Sequence, residues 1–248
     1  MPIETIGGNT TDDYSGVEDT HLWEALPTSN FSTSEGFSVE KGASGFHYHG
    51  LMRYTGLSSL PGSATFSDVS LFLYMYSGSS AQTITIRRLL RNWVVGNATY
   101  NIWDTSNNWT TAGGLSDGND RSSTVTQALA INTTAGYKEF NSAQLITDAQ
   151  NMYDGTWDND GWHFERTDAA DDGEALNFYS TDYPTDGYRP YLSVNYTTGV
   201  TYVGVLRRYN GSSWEKAYLT VYNGSAFVAA VLRYYNGSTW GLIDTTGV

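Results

Sequence analysis

Leu51–Tyr76 reads LMRYTGLSSLPGSATFSDVSLFLYMY, and the spacing of its apolar residues decides the class of fold. Met52 and Tyr54 alternate with Arg53 and Thr55; farther on, Val69, Leu71, Leu73 and Met75 alternate with Ser70, Phe72, Tyr74 and Tyr76. Successive side chains of a strand point to opposite faces, so a period of two marks both runs as β-strands. Between them Gly56, Pro61 and Gly62 break the pattern with turn chemistry, and Leu57 and Leu60 are apolar enough to tuck the connection under one end of a sheet. The second strand is apolar on both faces. Its aliphatic face suits a sandwich core, whereas its aromatic face needs a cover: a loop, a neighbouring chain or a ligand.

Outward from this stretch the pattern continues as strands and loops. HLWEAL and GFSVEKG read as the first strands, and FHYHGLMRY leads into the quoted segment. After the turn SGSSAQ, TITIRRLLRNW is a strand with Ile84 and Ile86 facing in and Thr83, Thr85 and Arg87 facing out. NWVVGNATYNIWDTSNNWTTAGG sets Trp93, Trp103 and Trp109 among Asn, Thr and Gly, a composition that makes long loops across a sandwich. One helix is expected, Asn141 to Tyr153. Ser142 or Asn141 caps it, Leu145, Ala149 and Met152 form its apolar stripe, and Gly155 stops it, which suits a lid over an open end of the sandwich. Residues 1–18, polar and without periodicity, read as an arm that orders against a partner.

Composition excludes several functions. The chain has 248 residues with 26 acidic and 13 basic side chains, a formal net charge of −13, which repels nucleic acid and anionic membranes. There is no Cys, so no disulfide framework and no thiolate metal site. MPIETIGGNT has neither a basic start nor an apolar run, and no stretch is apolar enough to span a membrane, so we expect a protein made without a secretory signal. Aromatic residues are as frequent as charged ones, 15% against 16% of the chain. Aromatics in such excess end up in interfaces or on sugar-binding faces.

Reactive chemistry is sparse. His47 and His49 share one strand face, but no third ligand lies at a metal-site spacing, which favours hydrogen-bonded or partly exposed histidines at a strand end. Asp158-Asn159-Asp160-Gly161 offers oxygens to Ca²⁺, with Asp158 and Asp160 as the candidate ligands; lacking a bidentate acid downstream, it reads better as an Asp-Gly turn. ERTDAADDGE (Glu165 to Glu174) holds several carboxylates and a glycosidase needs a pair at the right separation, yet acidic clusters in the loops of so negative a chain read as solvated faces, and no nucleophile stands beside a base. We therefore expect neither catalysis nor a cofactor.

MRYTGLSSLP, DVSLFLYMYS, ITIRRLLRNWVVGNATYNIW, the helix, DGWHFERT and LNFYSTDYPTDGYRPYLSVNY follow one another in an order that resembles the DNRLRE, or disaggregatase-related, domain family. The most specific pieces are Arg53 to Leu57, Trp93 with Ala98-Thr99-Tyr100, and Arg189 to Val194. The resemblance covers residues 19–198 and implies a jelly-roll β-sandwich related to carbohydrate-binding modules. The long Trp/Asn loop and the Asp-rich segment 168–186 resemble variants in phage structural proteins more than those in secreted hydrolases.

Beyond Tyr196 the register changes. VLRRYNGSSWEKA, YLTVYNGSAFVAA and VLRYYNGSTWGLI are three copies of a 13-residue unit starting at Val205, Tyr218 and Val231. Asn-Gly between short apolar strands signals a hairpin with a type I′ turn, so residues 199–248 are expected to be a β-hairpin repeat. Leu206, Leu219 and Leu232 precede the turns and Trp214, Phe227 and Trp240 follow them. Recurring in step, they form the expected assembly interface with sister chains, a trimer by resemblance to virion proteins with YNGSSW-type ends, or with a larger particle.

The expected fold is thus all-β: a jelly-roll β-sandwich with one short helix over 19–198, an arm before it and hairpins after it. Two functions follow as expectations. The first is a structural protein of a bacteriophage virion, displayed on capsid or tail and contacting other virion proteins. The second is a carbohydrate-binding module in which Trp103, Trp109, Trp157, Tyr183 and Tyr188 stack on the sugar rings of a surface polysaccharide.

Overall fold

The structure, a computed structural model, describes residues 3–7, 16–42, 46–168 and 173–198, and in the C-terminal part 207–209, 212, 214–216, 220–222, 227–229, 233–235 and 240–242. The chain forms two units, Met1–Thr198 and Gly199–Val248, divided where the sequence pattern changes.

In the first unit the strands are β1 (Ile3–Gly7), β2 (Glu18–Trp23), β3 (Gly36–Lys41), β4 (His47–Arg53), β5 (Ala64–Gly78), β6 (Gln82–Arg88), β7 (Gln127–Ile131), β8 (Gly136–Asn141), β9 (Trp162–Arg166), β10 (Ala175–Tyr179) and β11 (Tyr191–Thr198), with one helix, α1 (Ala143–Tyr153). All pair antiparallel in a single curled sheet of 11 strands ordered β1-β11-β5-β10-β3-β4-β9-β6-β7, with β2 on β4 and β8 on β5. The architecture is all-β and jelly-roll-like. Two strands do the turning. One edge of β5 takes β11 from Ala64↔Thr198 to Phe72↔Tyr191 and then β10 from Met75↔Phe178, while its other edge takes β8. In the same way β4 offers one edge to β2 and the other to β3 and then β9.

The alternation in β5 sorts its two faces. Val69, Leu71, Leu73 and Met75 are fully buried, packed with Met52, Tyr54, Ile84, Ile86, Phe140, Phe164 and Phe178 in the main core. The helix closes one end of that core. The Ser142 Oγ accepts the Leu145 N–H at 3.0 Å, Leu145, Ala149 and Met152 face inward, and Gly155 ends the turn with φ at +76°. Gln150 accepts the Phe66 N–H at 2.7 Å, which ties α1 to the start of β5.

Two expectations are corrected. Residues 3–7 belong to the sheet: Ile3 to Gly7 pair with Asn195 to Tyr191, and Ile6 is buried against the connection that carries Gly56. Five residues are too few to show a period in IETIG, yet the edge of β11 offers a complete ladder of partners. Thr85 and Arg87 do not face solvent. The segment Leu89 to Thr126 lies over the outer face of β2, β4, β9 and β6, where Leu22, Leu51, Leu89, Trp93, Ala98, Tyr100 and Trp109 form a second core.

In the second unit each repeat is a two-stranded hairpin: β12 (Arg207–Tyr209) with β13 (Trp214–Lys216), β14 (Thr220–Tyr222) with β15 (Phe227–Ala229), and β16 (Arg233–Tyr235) with β17 (Trp240–Leu242). The register is the same in all three, Tyr209↔Trp214, Tyr222↔Phe227 and Tyr235↔Trp240. The Asn-Gly turns expected between these strands lie outside the described residues. Leu206, Leu219 and Leu232 lie outside the described residues, as do the side chains of Trp214, Phe227 and Trp240.

Candidate functional site

The outer face of β8, β5, β11 and β10 is built from aromatic rings. Phe72, Tyr74 and Tyr76 project from β5 on the side away from the core; Tyr137 stands opposite Tyr74, and Tyr191 opposite Phe72. The Phe72 and Tyr191 rings stack at 4.5 Å, those of Tyr76 and Tyr179 at 4.6 Å, and Tyr137 meets Tyr74 edge-on at 5.1 Å. The connection from Ser180 to Pro190 adds two more rings. Tyr183 stacks on Tyr179 at 3.6 Å, and Tyr188 leans on Tyr74 at 4.5 Å. The eight rings form one connected surface. The connection covers part of it and leaves Tyr76 42%, Tyr137 37% and Tyr188 39% exposed.

Several bonds hold that connection in place. The Tyr137 hydroxyl lies within hydrogen-bond distance of the carbonyls of Gly187 (2.8 Å) and Arg189 (3.2 Å). Arg189 donates from Nε to the Tyr183 carbonyl at 2.6 Å and pairs through Nη1 with Asp186 at 2.8 Å. Beneath it Asp19, only 2% exposed, accepts the Thr181 N–H at 2.6 Å. Burial pushes the Asp19 carboxyl up to about 7, with the Thr181 hydrogen bonds opposing and Asp182 adding to the shift. Burial, with Tyr191, Tyr74 and Tyr188 nearby, raises the Tyr137 hydroxyl to about 12; the hydrogen bond to Tyr183, then burial, does the same for Tyr179. These hydroxyls therefore stay neutral at ordinary pH. Beside the rings, Ser38 donates to Asn177 at 2.6 Å and Asn177 to Ser77 at 3.0 Å, a row of uncharged hydrogen-bonding groups.

Of the five expected sugar-stacking residues, Tyr183 and Tyr188 belong to this face and the three tryptophans do not. Trp109 is 4% exposed, and its indole N–H donates to the Thr99 carbonyl at 2.9 Å, so it is core rather than platform. Trp103 packs half-buried against the same cluster, and Trp157 carries the Arg88 guanidinium 4.0 Å above its ring. Phe72, Tyr74, Tyr76, Tyr137, Tyr179 and Tyr191 were missing from the expected set. Their signal lies in period two: GYKEFN, ALNFY and YLSVNY each place tyrosine on the face opposite the core residues Phe140, Phe178 and Val194.

The opposite outer face has a charged and histidine-rich centre. His163 receives the Arg121 Nη1 at 3.3 Å on Nδ1, which leaves Nε2–H to donate to the Gly113 carbonyl at 2.9 Å. Arg121 also binds Glu165 at 2.7 Å and Asp117 at 2.8 Å. His47 and His49 do share a face, but their surroundings differ. His47 is half-exposed and pairs with Glu24 at 3.4 Å, whereas His49 is buried 5.1 Å from His163 with no hydrogen-bond partner on either ring nitrogen among the described residues. Burial first, then His47 and Arg121, lowers His49 to about 3, and burial lowers His163 well below the usual value.

Among the described residues no group of three His, Asp or Glu is placed to hold a metal ion. Asp160 is buried, and burial raises its carboxyl to about 6, with Asp158 adding to that and Arg53 and Arg88 opposing it. Two guanidinium groups near enough to act on that carboxyl disfavour a cation. Gly161 has φ at +73°, and a Cβ there would meet the Met52 carbonyl at 2.1 Å, so the Asp-Gly pair serves as the turn into β9. Compared with known proteins, the chain matches no family model and no curated sequence.

Proposed function

We propose that this chain is a structural protein of a phage particle that holds a glycan on its tyrosine face. The observation that carries the glycan part is the eight-ring surface, with Tyr76, Tyr137 and Tyr188 each more than a third exposed beside a row of serine and asparagine groups. Pyranose rings present an apolar C–H face and a hydroxyl rim, which match aromatic faces and uncharged hydrogen-bonding groups respectively. The sandwich core is already closed by Val69, Leu71, Leu73 and Met75, so packing alone does not account for a second apolar face on the same strand.

The particle setting draws on the resemblance to DNRLRE-like domains and YNGSSW-type virion ends, and on the repeated hairpins. Strands of three residues gain stability by packing against sister chains or a larger body. The glycan part is tested with the full chain on an array of neutral and charged glycans. Binding that Tyr188→Ala removes without changing the circular dichroism spectrum supports it; a folded protein that binds nothing on the array overturns it. For assembly, residues 1–198 should sediment as a monomer while the full chain forms the expected trimer.

A further inference from the structure

Resting on the glycan reading just given, we infer that the ligand of the tyrosine face is an uncharged polysaccharide, a neutral hexose polymer rather than a polyuronate or sulfated chain. The strands and connection that carry the eight rings hold four carboxylates, Asp68, Glu139, Asp182 and Asp186, and two cations, Lys138 and Arg189. Both cations are engaged within the protein. Lys138 donates to the Asn132 side chain at 2.8 Å and to the Thr134 carbonyl at 2.7 Å, and its register opposite Leu73 sets it on the core side of β8. Arg189 donates to Asp186 and to the Tyr183 carbonyl, holding the loop that supplies Tyr183 and Tyr188.

Recognition of a carboxylate or sulfate needs a charge-assisted partner, and supplying one from Arg189 would release that loop. An anionic chain would also approach an excess of carboxylates. A neutral chain faces neither obstacle: the tyrosine hydroxyls, with Ser38, Asn177 and Ser77, offer donors and acceptors to hydroxyls without desolvating a charge.

Affinity gel electrophoresis of the full chain at 0.15 M salt reads this directly, with laminarin, dextran, mannan and galactan as neutral probes and alginate as the polyuronate. At least one neutral polymer should slow the protein, Tyr188→Ala should reduce that retardation several-fold, and alginate should leave mobility unchanged. Asp186→Asn, which frees one Arg189 contact, should introduce measurable retardation by alginate. Retardation of the unmodified chain by alginate equal to or above that by the neutral polymers overturns the inference; if Tyr188→Ala abolishes it, the face stands as a glycan site and only its charge class is wrong. Retardation by none of the five polymers, alongside a blank array, overturns the glycan reading and this inference together.

Discussion

The two outer faces of the sheet are finished in opposite ways. Over β2, β4, β9 and β6 the chain lays down the segment Leu89 to Thr126, which buries Trp93 and Trp109 and closes a charged centre of His163, Arg121 and Glu165. Over β8, β5, β11 and β10 the described residues lay down only the connection from Ser180 to Pro190 and leave three tyrosines exposed. The same sheet thus carries one face completed from within and one that is not. A covered face holds the fold together, whereas a partly covered aromatic face has contact area for something outside the chain.

This contrast is open to a direct break by substitution. Trp93 is fully buried, donates to the Asp160 carbonyl at 2.8 Å and lies 5.0 Å below the Arg53 guanidinium. Trp93→Ala should lose about 3 to 5 kcal/mol in urea unfolding, the typical cost of removing a core tryptophan. A loss below about 1 kcal/mol would mean that the loop is not a core, since surface changes fall in that range.

The next effect is a gain. Asp19 has its folded pKa raised to about 7 by burial, so the cost of holding it ionised is absent below pH 4 and complete above pH 7. Asp19→Asn keeps an acceptor for Thr181 and removes that cost, which should stabilise the protein at pH 8 by roughly 2 to 4 kcal/mol and at pH 4 by little. His49 and His163 act in the other direction. Their folded pKa values are depressed, so the stability of the covered face is complete above the ordinary histidine pKa and declines as the pH falls toward 3. In the Asp19→Asn variant, where the most strongly raised carboxyl is gone and Asp160 and Asp182 still oppose the histidines in part, urea midpoints should therefore fall from pH 7 to pH 4. A flat profile would place the histidines in contact with water.

Deleting residues 1–15 removes β1 and the burial of Ile6, worth about 2 kcal/mol, and should lower the melting temperature by several degrees. An unchanged melting temperature would return this segment to the status of an arm.

How far the sequence foretold these faces depends on the range of the forces involved. Val69 to Met75 announced the core because period two is local, and Ser142, Leu145 and Gly155 announced α1 because capping and the apolar stripe are local too. The hairpins were legible as a repeat because Tyr-Asn-Gly-Ser recurs at a fixed spacing, and all three pair in the same register. Trp109 misled because Asn, Thr and Gly around it mark a loop without saying whether that loop lies in water or over Leu22 and Leu51. Only the tertiary pairing of β2 with β4 creates that apolar bed. Tyr137, Tyr179 and Tyr191 were individually visible as outward residues. Their gathering with Phe72, Tyr74 and Tyr76 required the order β8-β5-β11, with β10 following β11 along β5, which no local pattern encodes.

The smallest expected change in stability accompanies the largest in binding. Tyr76 and Tyr188 are exposed and close no core, so the double substitution Tyr76→Ala with Tyr188→Ala should cost under about 1 kcal/mol. Calorimetric titration of the full chain and of this double variant, with a glycan bound by the unmodified protein, tests the central claim most directly. The account predicts that the variant melts within a few degrees of the unmodified chain and binds at least tenfold more weakly. Equal binding by the two folded proteins would contradict it and place the glycan elsewhere on the molecule.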